Sequence, residues 1–285
     1  MTVLEVIQKS TDFLARKGVE SPRLQTELLL AHVLNLPRMK LYLDFARTLT
    51  PPELDTLRER VRRRGQREPL QHILGSTSFC GLELAVNRHV LVPRPETELL
   101  AEQGWQFLTT CDAAPPTALD LGTGSGCLAI ALAVHCPAAR VWAVEVSAEA
   151  LAVAKANASR HQVAERIQFL HGDGFSAVPA AARFDLIVSN PPYIPSAEIA
   201  TLAPEVRDFD PRAALDGGAD GLEFFRRIAA AAGPFLKPTG RLMLEFGDGQ
   251  AEPLRGIFAC PQWTIEAVKE DDNQRPRILV AHRGG

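Results

Sequence analysis

The chain has 285 residues, room for one large domain and a small one, with 31 basic against 34 acidic side chains. That near balance argues against a protein whose main task is gripping nucleic acid, and no apolar run is long enough to span a membrane. Five cysteines (Cys80, Cys111, Cys127, Cys136, Cys260) and seven scattered histidines lack zinc or redox spacing, so no metal site is expected.

From residue 2 onward the sequence is polar and periodic, with no secretory leader, so the expected address is the cytoplasm. Apolar positions at helical spacing predict helices over 2–17 (Val3, Val6, Ile7, Phe13, Leu14) and 22–35 (Leu24, Leu28, Leu29, Val33). Ser21 is placed to cap the second, with Pro22 at its first position. A third starts at Thr50-Pro51-Pro52-Glu53, where Thr50 caps and Glu53 reaches back. It runs through Leu54, Leu57 and Val61 and ends near Gly65. Residues 1–75 therefore read as a small helical bundle, a candidate surface for substrate recognition. Its run Arg58-Glu59-Arg60-Val61-Arg62-Arg63-Arg64-Gly65-Gln66-Arg67 is either a solvated face with cations at the helix C-terminus or a contact for an acidic protein surface or RNA.

Residues 76–92 alternate apolar and polar (Phe79, Leu82, Leu84, Val86, Val90, Val92), which predicts a linking β-hairpin turning at Asn87-Arg88-His89. Arg94 and Glu96 follow in a loop before a helix from Glu98 to Leu108. They either hold a later loop or a ligand, or Glu96 and Thr97 cap that helix.

The third segment, 93–285, alternates strands and helices. Strands are expected at 117–121, 140–145, 167–171, 184–189 and 241–245 and near 263–269 and 277–282, with helices at 126–135, 148–160, 220–232 and 248–258. Such alternation implies an α/β fold with a mostly parallel, doubly wound sheet, whose ligands belong at the carboxyl ends of the strands. Strand 117–121 leads into Gly122-Thr123-Gly124-Ser125-Gly126 and then an apolar helix, the nucleotide-binding corner of such a sheet. Position 127 is Cys127 where a dinucleotide fingerprint needs its third glycine, and no Lys-Ser or Lys-Thr follows, which excludes a P-loop. S-adenosylmethionine, with no phosphate to hold, fits. Glu145 closes the second strand, where a ribose diol is gripped. Asp173, ending the third, is placed to reach the adenine amino group, with Gly174 and Phe175 against the ring.

Asn190-Pro191-Pro192-Tyr193 follows the buried strand 184–189. Two prolines fix two φ angles and remove two donors, which leaves a stiff turn rich in acceptors. The Asn190 side-chain oxygen and the Pro191 carbonyl would each take one N–H of a planar amino group, with Tyr193 stacked behind it. An amide nitrogen is a poor nucleophile, its lone pair delocalised into the carbonyl, and the turn contains no base. Asn190 is therefore expected to orient the nitrogen and stabilise its growing positive charge, not to remove a proton.

These residues resemble the bacterial N5-glutamine methyltransferases that act on peptide chain release factors. The likeness also takes in Gly75-Ser76-Thr77-Ser78-Phe79-Cys80-Gly81-Leu82-Glu83-Leu84, Leu91-Val92-Pro93-Arg94-Pro95-Glu96-Thr97-Glu98 and Leu215-Asp216-Gly217-Gly218-Ala219-Asp220-Gly221-Leu222. It implies a seven-stranded, Rossmann-like S-adenosylmethionine-dependent domain with a final antiparallel hairpin, acting as a monomer on the glutamine of a Gly-Gly-Gln loop. The family usually carries Asp where this chain has Glu145, and often a bulky residue at Gly174. An amino-methyltransferase acting on adenine or cytosine is the alternative, since those rings also present a planar NH2 group. A non-catalytic cofactor binder is the third.

Overall fold

The computed structural model describes residues 1–284. In chain order the elements are α1 (Val3–Arg16), α2 (Pro22–Leu34), α3 (Pro51–Gly65), α4 (Leu70–Leu74), β1 (Ser76–Phe79), β2 (Leu82–Ala85), α5 (Pro95–Thr110), β3 (Thr117–Leu121), α6 (Cys127–His135), β4 (Arg140–Glu145) and α7 (Ala148–Arg160). Then come β5 (Ile167–His171), β6 (Phe184–Ser189), α8 (Pro204–Arg207), α9 (Glu223–Ala231), β7 (Leu236–Glu245), α10 (Ala251–Phe258), β8 (Trp263–Glu270) and β9 (Pro276–Arg283). No helix among the described residues is long and apolar enough to cross a membrane.

The chain forms two compact units. The first gathers Met1–Ser76 and takes back Leu202–Phe209, a segment that the sequence had assigned to 93–285. Thr2 opens α1 with a capping box, donating its backbone N–H to Glu5 and accepting from the Glu5 backbone in return. At α3 the Thr50 N–H likewise donates to Glu53, at 2.8 Å. Ser21 does not cap α2 as expected. Its backbone is left-handed, at φ 46°, so its hydroxyl is not aimed at the first turn. Leu14, Leu29, Leu30, Leu41 and Leu57 fill this unit's core. Apart from Arg60, which contacts His32, the arginines of the basic run are paired with acids: Arg58 with Asp55, Arg62 with Glu59 and Arg63 with Glu68. Arg64 and Arg67 converge on Glu205 of the returning segment, at 2.7 and 2.6 Å. Burial pushes the Glu205 carboxyl up, but the two guanidiniums outweigh it and hold the acid down at about 2.

The second unit is Thr77–Thr201 with Asp210–Gly285. Its hairpin closes at Cys80-Gly81, both at positive φ (49° and 76°), and not at Asn87-Arg88-His89. Two consecutive positive φ angles are what a two-residue hairpin loop demands, and their twist matches the strands they join. Val86 and Val90, expected in the hairpin, instead pack on Ala150 of α7.

The large sheet has the order β5-β4-β3-β6-β7-β9-β8, parallel from β5 to β7, with β9 antiparallel to both β7 and β8. Every residue of β6 is buried, as a strand covered on both faces requires. Ala118, Leu186 and Val188 face α5 and α6 on one side; Leu119, Leu121 and Ile187 face α9 and α10 on the other. The chain starts at β3, winds outward to β5, then crosses back to β6. The strand order reverses between β3 and β6, the point at which open α/β sheets take their ligands.

Candidate active site

Five neighbouring strand ends carry the site. Along the edge β5-β4-β3-β6-β7 stand Asp173, Glu145, the glycine loop, Asn190 and Glu245.

The loop after β3 is pinned by the Gly122 and Thr123 backbone N–H groups, which both donate to the Val144 carbonyl at 2.9 and 3.0 Å. Gly126 has φ +83°, and a Cβ there would sit 3.0 Å from Ile130 and 3.1 Å from Ala154 of α7. Only glycine fits. Gly122 also has positive φ, but its outer side faces open space. Ser125 and Thr123 are buried, and the Ser125 carbonyl accepts from Asn157 of α7 at 2.9 Å. Asp120, on β3 itself, is fully buried. One carboxyl oxygen accepts from the Thr123 hydroxyl (2.6 Å) and the Ala129 N–H (3.2 Å), and the other has no partner. Burial pushes this acid up to about 7.

Glu145 bridges its surroundings, Oε2 accepting from the Gly124 N–H at 2.9 Å and Oε1 from the Ser147 N–H at 3.0 Å. Each oxygen keeps a lone pair for a second donor. Val146, just beyond, leaves an apolar side chain 59% exposed. Asp173 is paired with Arg227 at 2.6 Å. Gly174 is at φ +55° with open space where a side chain would begin. Phe175 is half-buried against the core and stacked on Phe235, with ring centroids 5.0 Å apart.

Asn190 donates its Nδ2–H to the hydroxyl of Thr97 on α5, at 3.0 Å. That bond commits the amide's donor end to the protein and leaves its oxygen as the acceptor. Thr97 is buried inside the first turn of α5. The helix starts at Pro95, three residues before the expected Glu98, because proline suits the first helical position. Thr97, expected only as a cap, holds Asn190, while Arg94, a candidate for holding a loop or ligand, pairs with the buried Asp210 at 2.7 Å.

Tyr193 is held by its backbone. Its carbonyl accepts from Gln250 Nε2 at 2.9 Å, and the same amide accepts from the Gly247 N–H through Oε1. Three glycines make room for it. A Cβ at Gly221 would lie 2.3 Å from the Tyr193 carbonyl oxygen, one at Gly217 2.8 Å from its Cα, and one at Gly247 3.0 Å from its ring. The segment Leu215–Leu222 is thus the seat of the Asn-Pro-Pro-Tyr turn. Burial pushes the Tyr193 phenol up to about 12, so it stays un-ionised at neutral pH.

Glu245 ends β7 and is 2% exposed. Burial raises its carboxyl to about 7, against the pull of hydrogen bonding with Thr97 and Asn190. Asp120, Thr97, Gln250 and Glu245 were not among the residues expected from sequence. For the two acids the available signal was a lone carboxylate inside an apolar strand, Ala-Leu-Asp-Leu and Leu-Met-Leu-Glu-Phe. Among the described residues no group of three or more metal-ligating side chains converges.

The residues fit S-adenosylmethionine. An orphaned buried carboxyl oxygen on Asp120, a bridging Glu145 and the open sides of Gly122 and Gly174 offer acceptors and room.

Residues 5–75 match the family described as PrmC N-terminal domain, and residues 102–205 the methyltransferase small domain. The chain is 48% identical over 283 residues to a release factor glutamine methyltransferase of Geobacter sulfurreducens, covering 99% of this chain and 97% of that one. It is 48% identical over 285 residues to one of Chlorobaculum tepidum, covering 98% and 96%. A solved methyltransferase of Pyrococcus furiosus shares the fold, with a TM-score of 0.53 at 19% identity, over 79% of this chain and 99% of that one.

Proposed function

The chain belongs to the release factor glutamine methyltransferase family, and on that premise we propose that it moves a methyl group from S-adenosylmethionine to the side-chain amide nitrogen (N5) of the glutamine in the Gly-Gly-Gln motif of peptide chain release factors. When bound, S-adenosylmethionine supplies a sulfonium methyl group already activated for transfer. The glycine loop Gly122-Thr123-Gly124-Ser125-Gly126 would lie against it, Glu145 would take its ribose hydroxyls, and Asp173 with Gly174 and Val146 would flank its base.

The observation that carries the reading is the direction of the Asn190 amide. With Nδ2 spent on Thr97, Oδ1 is the acceptor presented at the end of β6, next to the glycine loop of β3. An acceptor there, together with the Pro191 carbonyl, would take the two hydrogens of a planar NH2 group, fix its plane and so orient the nitrogen lone pair toward the methyl donor. As positive charge grows on that nitrogen, both dipoles are already aligned to stabilise it. Pro191 and Pro192 keep the turn from relaxing, and Tyr193 offers a neutral π-face to the developing cation. No group in the turn acts as a base, so the proton leaves after transfer. Most of the rate comes from alignment.

The reading also assigns the helical unit to recognition of the release factor body, places the reaction in the cytoplasm and has the chain act as a monomer. The test is incubation with methyl-labelled S-adenosylmethionine and, separately, purified release factor, the same factor with its Gly-Gly-Gln glutamine replaced by alanine, DNA and RNA. Label is expected on the intact factor alone. Label on DNA or RNA but not on the factor would transfer the reading to a nucleobase amino group.

A further inference from the structure

Glu245 has no part in the chemistry described so far, although a carboxyl held 2% exposed at the edge of the site is costly. Its neighbours give it a use. Asn190 and Glu245 follow directly on Ser189 and Leu244, which are partners across β6 and β7, Thr97 is bonded to Asn190, and the Glu245 Oε2 has no partner. Thr97 already accepts a hydrogen bond from Asn190, so the hydroxyl hydrogen of Thr97 must go to some other acceptor. An ionised carboxylate has only acceptors and will not tolerate the oxygen end of an amide beside it. We propose that Glu245 is a positioning residue: through Thr97 it fixes the Asn190 side-chain amide with nitrogen inward and oxygen toward the substrate. This rests on the glutamine-methylating role given to Asn190 above.

The two ends of an asparagine amide are nearly the same size, so packing alone does not choose between them. Only the donor and acceptor pattern of the surroundings chooses. A protonated Glu245 has both a donor and acceptors, and admits the flipped amide, whose NH2 would then meet the NH2 of the substrate. The choice is therefore made by charge, and burial places the titration of this acid near neutrality. The other ionisable groups facing it are Glu96 of α5, Cys127 of α6, Tyr193 after β6 and Arg277 of β9. Burial lifts the Cys127 thiol and the Tyr193 phenol to about 12, outside the working range. Arg277 is already paired with Asp248 and Asp271.

The test uses the full chain and Glu245→Gln, Thr97→Val and Thr97→Ser, with thermal unfolding and S-adenosylmethionine binding as controls for folding. The Asn190 side-chain NH2 resonances are followed by NMR from pH 6 to 9, which requires no methyl transfer. In the unsubstituted protein they should shift with a midpoint near 7, and Glu245→Gln should abolish that shift. With release factor as substrate, kcat should rise with pH through the same midpoint and lose its acid limb in Glu245→Gln. Thr97→Val should lower kcat at least tenfold with KM for the cofactor little changed, and Thr97→Ser should restore it. Resonances that titrate in the absence of turnover would sustain the positioning and overturn only the substrate. Resonances that ignore pH, or a serine no better than valine, would overturn the proposal itself.

Discussion

Two acids of the helical unit and two of the sheet unit are treated in opposite ways, while the sheet unit's buried Asp185, paired with Lys237 at 2.7 Å, follows the helical pattern. In the helical unit, burial pushes Glu27 up, but Arg23, Tyr42 and Arg38 outweigh it, and the acid is held below the usual carboxylate range. Glu205 is overmatched in the same manner by Arg64 and Arg67. In the sheet unit, Asp120 and Glu245 are as deeply buried, yet each keeps an unpartnered oxygen and no arginine pairs with either. Both titrate near 7. Acids that are fully partnered hold a fold together; acids left short of partners mark where something else is to be done.

Asn190→Ala should break the sheet unit's side of this contrast most completely. Turnover on release factor is expected to fall on the order of 100-fold or more, with S-adenosylmethionine affinity and melting temperature nearly unchanged. Retention of turnover within a few-fold would refute the role given to the amide.

Glu205→Gln strips the helical unit of its most strongly paired acid and leaves Arg64, a 3% exposed guanidinium, without its counter-ion. A loss of about 2–4 kcal/mol in unfolding free energy is expected. The sign follows from linkage. A depressed folded pKa gives stability that is present above the unfolded value of 4.5 and lost as pH falls toward about 2. Acid titrations of the two proteins should therefore converge, as denaturant melts at pH 7 and pH 3 would show.

Glu245→Gln makes the same chemical change with the opposite expectation. A raised folded pKa means that stability falls as pH climbs from 4.5 through about 7. Removing the charge should raise unfolding free energy at pH 8.5 by about 3 kcal/mol and do little at pH 5, even as turnover declines. A variant that is less stable at both pH values would show Glu245 to be a structural acid like Glu205.

The smallest effect should come from Glu145→Asp. The shorter carboxylate gives up one of its two backbone contacts, to Gly124 or Ser147. One such bond contributes about 1 kcal/mol, so calorimetry should find the cofactor bound within about fivefold of the original affinity.

What the sequence disclosed follows the same division between local and assembled features. Strands 140–145, 167–171 and 184–189 and helix 148–160 fall on the residues expected, because apolar runs and alternation are properties of consecutive positions. The Cys80-Gly81 turn was hidden by a cysteine in a left-handed conformation, while Asn87-Arg88-His89 offered better turn chemistry to no hairpin. Glu145 and Asn190 were visible as strand-end residues beside glycine or proline. Thr97 was visible only as a helix cap, and Glu245 only as the end of a strand. Their roles arise from α5, β6 and β7 meeting, which no window of consecutive residues contains.

The return of Leu202–Phe209 to the helical unit bears on how such proteins are inherited and recombined. A crossover near residue 76 would look, in the linear gene, like a clean exchange of one module for another. It would deliver Arg64 and Arg67 from one parent and Glu205 from the other, and the acid would meet a foreign partner. A chimaera of two relatives is viable only if both parents keep the same charges or if a second crossover carries 202–209 along. The helical unit is an N-terminal module on the genetic map, but the polypeptide enters it twice.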